Sequence, residues 1–419
     1  MVLLAAPALP VDAAGQEDGF SSTFSLGFDS FSEKYSIEDA DTLDYSNELR
    51  SAVGLAYGRR WGGTGAAQDA GYGTSRFEVK DVLTVSDAAV RNRWNMGLDL
   101  AAGANHQVSL ANELTNKRFN SGDELNLSSD YVQELARVLY RTRLSDILAI
   151  NLRDRFELVD FSQEDAYEMD YRRNEAGAGL SIEPGVDASL DFAYALSHRT
   201  VPDSSAIDYR EHDFRVDWWQ VFGFRTSVEV KGEVERRRYE DELIRPGYFT
   251  FLGDGHLEVR VTDRFAMRLR EEIESSDYDA QSEVYYDRVL QRAGVEARFN
   301  VTSELELGLE PRYTLLRGAD ESIEDYDELS VVLAGDWIRF NRLWLTSSVE
   351  YGRRVYAAQV VDAGVFSDYT FFRTNVFSTV ELGRGTVWNL YLSHEPERHV
   401  NDNDDTTTAL FSTDLSVRF

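Results

Sequence analysis

The sequence predicts an all-β chain: a transmembrane antiparallel up-and-down β-barrel of about 20 strands, with 18 as the alternative count. Three observations predict it. Apolar and charged residues alternate with period two along segments of roughly 12 to 16 residues, longer than the ~5–6 usual in a globular sheet. Short turn signals centred on Ser145, Pro184, Gly223, Asp263, Thr302, Asn341 and Gly383 recur every 39 to 42 residues. Between them fall longer polar stretches such as "SQEDAYEMD", "SSDYDAQSE" and "GADESIEDYDE". The chain from residue 130 onward therefore reads as strand, tight turn, strand, long acidic loop, repeated. A propeller blade has a similar period but fits four short strands into it, with a turn about every ten residues.

Taken in order, residues 1–16, "MVLLAAPALPVDAAGQ", are short, apolar and alanine-rich, and read as a signal-peptide remnant or a disordered N-terminus. Residues 17–419 read as a single barrel domain. Its N-terminal part offers strands near 21–34, 46–60, 74–85, 91–102 and 106–118. The glycine-rich "GGTGAAQDAGYG" at 62–73 breaks the rhythm, as a larger turn or a plug-like excursion.

Further along, the two faces of each strand separate cleanly. In "SVEVKGEVE", Val228, Val230 and Val234 oppose Glu229, Lys231, Glu233 and Glu235. Phe265, Met267 and Leu269 oppose Arg268, Arg270 and Glu272, while Leu305, Leu307 and Leu309 oppose Glu304, Glu306 and Glu310. An apolar face against lipid and an ionic face around water is the pattern a membrane barrel requires. The expected inner, lumen-lining residues are Arg153, Arg155, Asp187, Asp191, Glu229, Lys231, Glu233, Arg268, Arg270, Glu272, Arg288, Arg292, Glu296, Glu304, Glu306 and Glu310. Two carboxylates break the phase: Asp154 shares a face with Leu152 and Phe156, and Asp81 with Val79 and Leu83. Their cost in hydrocarbon predicts positions at strand ends or beside bulges.

Aromatic residues cluster at strand ends. Trp218, Trp337, Trp344 and Trp388 lie near tight turns, and Tyr171, Tyr209, Tyr239, Tyr278, Tyr285 and Tyr326 near the opposite ends. Amphipathic rings at both ends predict two interfacial girdles.

Composition narrows the chemistry. The chain has 74 Asp and Glu against 43 Lys and Arg, a net charge of −31, and no cysteine. The acidic excess argues against nucleic acid as a partner. Disulfides and thiolate-ligated metals are excluded. The six histidines show no HExxH spacing, and no GxSxG elbow occurs. His394 and His399 flank "EPER" and read as a solvated loop rather than a metal site with Glu395. No catalytic residue, metal or cofactor is expected, and the chain is not read as an enzyme. The acidic runs "IEDADTLD", "YEDE", "ESIEDYDE" and "NDNDD" map to loops and read as solvated surface.

The C-terminal "FSTDLSVRF" resembles the signature strand of bacterial outer-membrane proteins, with Phe411, Leu415, Val417 and Phe419 on alternate positions. That resemblance implies recognition by the barrel-assembly machinery and closure of the last strand on the first. Hairpins such as "YYDRVLQRAGVEARFNVTSELELGLEPRYTLLRG" resemble, in rhythm, the β-barrel porins associated with exopolysaccharide export loci. The family implies a location in the outer membrane of a Gram-negative bacterium, contact with its lipid and lipopolysaccharide, and a periplasmic polysaccharide-export partner. It also implies a channel for a hydrophilic solute such as a secreted polysaccharide. The alternative is a non-conducting sleeve around a periplasmic export or electron-transfer partner.

Overall fold

The computed structural model describes residues 19–37, 40–61, 73–86, 89–103, 105–119, 130–162, 169–282, 284–319, 324–340, 342–357, 366–383, 385–400 and 404–418. These form 20 antiparallel strands, most of them 13 to 15 residues long. Those used below are β1 (Gly19–Ile37), β2 (Ala40–Trp61), β3 (Gly73–Ser86), β4 (Ala89–Ala102), β5 (His106–Phe119), β6 (Tyr131–Ser145) and β7 (Leu148–Phe161). They continue with β8 (Tyr171–Gly185), β9 (Ala188–Thr200), β10 (Tyr209–Phe222), β11 (Thr226–Tyr239), β12 (Tyr248–Thr262), β13 (Phe265–Tyr278) and β14 (Arg288–Asn300). The last are β15 (Leu305–Gly318), β16 (Tyr326–Arg339), β17 (Leu343–Tyr356), β18 (Tyr369–Gly383), β19 (Thr386–His399) and β20 (Thr406–Arg418).

Each strand pairs with its sequence neighbours, and β20 returns to β1 in a register running from Thr23↔Arg418 to Tyr35↔Thr406. The sheet is closed, so no strand edge is left to pair with another chain or with water. Phe411, Leu415 and Val417 lie on this closing strand in phase with one another. Phe419, residues 1–16 and nearly all of the glycine-rich segment lie outside the described residues.

Burial is inverted relative to a soluble protein. Leu329, Leu333 and Val53 are 64%, 53% and 53% exposed. Glu211, Glu328 and Glu350 are below 9%. In a closed cylinder the concave face is crowded and the convex face open, so the ionic residues are inside and the apolar ones outside. No soluble sandwich or propeller arranges its faces this way.

Tight turns close one end. Gly223, between β10 and β11, has φ +64°, the left-handed region that glycine enters at no steric cost. Register shifts at Arg143/Ser145, Ile182/Gly185, Arg260/Thr262 and Glu381/Gly383 all sit at this end, where extra residues fold the chain back.

At the opposite end, an aspartate just before a strand accepts a hydrogen bond from the backbone N–H at the close of the preceding one. Asp130 serves Phe119, Asp170 serves Phe161, Asp208 serves Val201, Asp325 serves Gly318 and Asp368 serves Tyr356, all at 2.6–2.8 Å. Asp287 and Asp405 do the same for Tyr278 and His399. These clasps hold the base of each long loop and satisfy N–H groups at the point where ladder pairing ends.

The two out-of-phase carboxylates correct an expectation. Asp154 pairs with Val138 and Ala176 in the middle of β7, and Asp81 with Val53 and Trp94 in the interior of β3. Both are exposed on the outer face, away from strand ends and bulges. The strict two-residue alternation holds their phase and overrides the cost of their charge.

Candidate functional site

The inner wall is a lattice of ion pairs built from alternate residues of adjacent strands. Across each ladder, opposite charges face one another: Asp217↔Lys231, Arg268↔Glu296, Glu272↔Arg292, Glu328↔Arg354 and Glu350↔Arg373. Such pairs each contribute roughly 0.2–1 kcal/mol on a sheet surface. Several carboxylates bridge two cations. Glu211 accepts from Arg173 Nη2 at 3.0 Å and from Arg237. Glu258 takes Arg268 at 2.8 Å and Arg298 at 3.1 Å. Glu350 takes Arg373 at 2.9 Å and the Ser330 hydroxyl at 2.7 Å.

Of the residues expected to line a lumen, Arg153, Arg155, Asp191, Glu229, Lys231, Glu233, Arg268, Arg270, Glu272, Arg288, Arg292, Glu296, Glu306 and Glu310 share this inner parity on their strands. Two do not lie on the wall. Asp187 sits in the tight turn between β8 and β9, where its carbonyl accepts from Val221 N–H. Glu304 sits in the turn before β15, with its N–H donating to the Thr302 hydroxyl. Alternation extended past the last ladder pair explains both misplacements. Two hollows open along the wall, of about 660 Å³ beside Asp217, Lys231, Asp254 and Arg292, and about 350 Å³ beside Arg155, Arg173, Glu211 and Arg237.

The aromatic residues divide differently from expectation. Trp218, Trp337 and Trp388 share the outer parity near the tight turns, and Trp388 Nε1 donates to the Thr413 hydroxyl at 2.8 Å. Trp344 has the parity of Glu350 and faces inward, stacked edge-on at 5.8 Å against Phe377. The tyrosines do not form a second lipid-facing girdle. Tyr171, Tyr209, Tyr239, Tyr278 and Tyr326 face inward, and Tyr285 lies in the loop before β14, 5.5 Å from the Tyr278 ring. Together with Tyr131, Phe161, Tyr248, Tyr356 and Tyr369 they form an aromatic collar at the loop end. Cross-strand rings meet at 5.7–5.8 Å in the pairs Tyr131–Phe161, Tyr209–Tyr239, Tyr248–Tyr278 and Tyr326–Tyr356. Guanidiniums cover the ring faces: Arg199 over Tyr171 at 4.2 Å, Arg237 over Tyr209 at 4.4 Å, Arg354 over Tyr326 at 4.0 Å. Cation–π attraction and the neighbouring carboxylates fix the rings to the wall rather than to lipid.

The collar has a signal in the sequence that strand alternation alone does not reveal. The dipeptide Asp-Tyr recurs at 130–131, 170–171, 208–209, 325–326 and 368–369, with the aspartate clasping the loop and the tyrosine entering the collar.

His394 and His399 lie on β19, not in a loop, and on opposite faces of it, so they cannot share a metal. Among the described residues no group of three or more His, Cys, Asp or Glu side chains is placed to hold one. Ser367 Oγ lies 2.8 Å from His399 Nδ1, and Glu397 lies 3.6 Å from His399 Nε2. This has the composition of a hydrolytic triad. However, the His399 side chain is only 2% exposed and the carboxylate lies beyond hydrogen-bond range, so the group packs the collar. On the outer wall, His106 Nδ1 lies 3.1 Å from both Thr142 Oγ1 and Tyr140 Oη, with no carboxylate to orient the ring. Neither arrangement is a nucleophile–base–acid set.

No protein-family model matches the chain, and no curated protein does. Solved structures do. The siderophore receptor PirA from Pseudomonas aeruginosa superposes with TM-score 0.54 at 9% identity, over 97% of this chain and 81% of the receptor. The ferric enterobactin receptor PfeA gives 0.57 at 9% identity, over 96% and 82%. The ferric-catecholate import receptor Fiu from E. coli K12 gives 0.50 at 8% identity, over 97% and 82%. At these identities the likeness is one of fold: a large closed β-barrel. With its outward apolar surface, that fold is one that crosses a membrane with its strands.

Proposed function

We propose that the protein is an outer-membrane channel giving passive passage or export of a hydrophilic solute, with a secreted polysaccharide as the finer reading. One observation carries the proposal: a wall dense in ion pairs, with hollows along it, enclosed by a surface that is mostly apolar. A 20-stranded barrel belongs to the size range in which an aqueous lumen exceeds what side chains fill. The path is lined by the inner residues of the strands, among them Arg153, Arg155, Asp191, Lys231, Arg292 and Glu310. Paired acids and bases keep such a path hydrated and exert a transverse field on charged or dipolar solutes. The closing strand carries the assembly signal for the barrel-assembly machinery, and the outer surface contacts lipid and lipopolysaccharide. The polysaccharide reading rests on the rhythm of the hairpins alone.

Planar-bilayer recording of the purified protein tests the channel. Stepwise ohmic conductance supports it. A folded protein, verified by heat-modifiable gel mobility, that inserts and stays silent refutes it and favours the sleeve.

A further inference from the structure

The charges on the inner wall are not evenly mixed. On β4–β7 the inner positions carry Arg91, Arg93, Arg137, Arg141, Arg143, Arg153, Arg155 and Lys117, against only Asp99, Glu113 and Glu157. Around the cylinder the balance reverses: the inner face of β16 has Glu328 and Asp336 with no cation, and that of β19 has Glu395 and Glu397. Like-charge cross-strand pairs follow the same division. Arg91↔Lys117, Arg137↔Arg155 and Arg173↔Arg199 face each other on β4–β9, whereas Glu306↔Asp336 face each other on β15 and β16. Direct like-charge pairs destabilise a sheet, so stability alone does not account for this clustering.

Three further observations mark the basic side as open to a ligand. Arg137 makes no ion pair or hydrogen bond among the described residues, although it stands opposite Arg155. Arg91, which stands opposite Lys117, likewise makes none among the described residues. The cations also span the whole height of the barrel. Arg141 and Arg143 lie near the tight-turn end, each 3.6–3.7 Å from Glu183. Arg137, Arg153 and Arg155 lie at mid-height, and Arg91 and Arg93 near the loop end. A compact anion needs one such cluster, and a charged chain needs a series of them.

We infer that the β4–β7 wall is a guanidinium track for an extended anionic solute, carried by a protein whose overall charge is −31. This rests on the channel reading. Successive inner residues on one strand are about 6.6–6.8 Å apart, a spacing that lets neighbouring guanidiniums hand an anionic polymer along the wall. The acidic side repels the same chain and keeps it on the track.

The test is current blocking in planar bilayers by short galacturonate oligomers, compared with uncharged maltooligosaccharides of equal length and with monomeric galacturonate. The inference predicts resolved blocks by the charged oligomer only. Dwell times should shorten about fivefold for Arg137→Gln, and about fivefold again on adding Arg155→Gln. Arg137→Lys should keep most of the dwell time. Raising salt from 0.1 to about 1 M should abolish the blocks as the screening length falls from ~10 to ~3 Å. Heat-modifiable mobility and a far-UV circular dichroism spectrum matching the parent certify that each variant has folded. Equal blocking by charged and uncharged oligomers overturns the inference and leaves the channel standing. So do dwell times unmoved in both Gln variants. Monomer blocking as long as oligomer blocking overturns the extended-solute assignment. A wild-type protein that never conducts removes the channel and the track together.

Discussion

Glu350 offers the sharpest test of whether the inner lattice holds the barrel together. Its side chain is 7% exposed and receives Arg373 Nη1 at 2.9 Å and Ser330 Oγ at 2.7 Å, with Arg312 at 3.6 Å. Stripping a buried ion pair of one partner costs about 3–5 kcal/mol when the other charge is left alone. Here it is not alone. Arg373 retains Glu395 through Nε at 2.8 Å, and Arg312 retains Glu310 at 3.0 Å. The loss reduces to charge-assisted hydrogen bonds, so Glu350→Ala should cost about 1.5–3 kcal/mol. Removing Glu395 as well isolates Arg373, so the double variant should exceed the sum of the singles by at least ~0.5 kcal/mol. Urea unfolding in detergent micelles, followed by tryptophan fluorescence and gel mobility, measures both. The control is Arg398→Ala, whose side chain is 65% exposed and pairs with Asp405 at 2.7 Å; it should move stability by less than ~0.5 kcal/mol. A Glu350→Ala protein as stable as its parent would refute the idea that the lattice bears load.

Three further substitutions address other parts of the fold. Asp154→Leu removes a mid-strand carboxylate from the outer face and should stabilise the barrel in lipid vesicles by about 1–2 kcal/mol, less than the cost of a cation at that depth; destabilisation would mean that Asp154 meets something other than lipid. Asp208→Ala removes the acceptor 2.6 Å from the Val201 N–H, a residue only 2% exposed. It should cost about 1–3 kcal/mol, with Asp208→Asn close to the parent, and equal unfolding midpoints would show that the clasp is idle. A Cβ at Gly352 overlaps the edge of the Phe371 ring and crowds Ser330, so Gly352→Ala should destabilise by about 1–3 kcal/mol, read by the same titration.

The faces were legible because alternation with period two is local and strict, and a count of about 20 because the turns recur at a near-constant spacing; closure was only implied by the resemblance of the last strand. Val228 and Val230 against Glu229 and Lys231 need no tertiary information. The rule failed where it was not followed to its end. A tryptophan near a turn reads as lipid-facing, yet counting back in twos from Glu350 puts Trp344 inside. Counting from Glu211 likewise puts Tyr209 inside, although its place at a strand end suggests the interface. For the carboxylates the opposite occurred: phase placed Asp81 and Asp154 outside, and an energetic argument moved them toward strand ends that they do not occupy. Asp187 and Glu304 were lost because a turn has no period. What no single strand could reveal was the segregation of charge around the cylinder. That depends on which strands become neighbours, and every strand by itself carries a mixture.

The absence of cysteine makes the central claim directly measurable. Lys231→Cys and Val230→Cys, adjacent residues of β11, should behave oppositely in outer-membrane vesicles. A membrane-impermeant charged thiol reagent small enough for the lumen should label Lys231→Cys quickly and leave Val230→Cys unreacted, and a lipid-partitioning maleimide should show the reverse preference. Equal labelling of the two positions by the charged reagent, or labelling of Val230→Cys alone, would contradict a barrel with hydrocarbon outside and ions around water within.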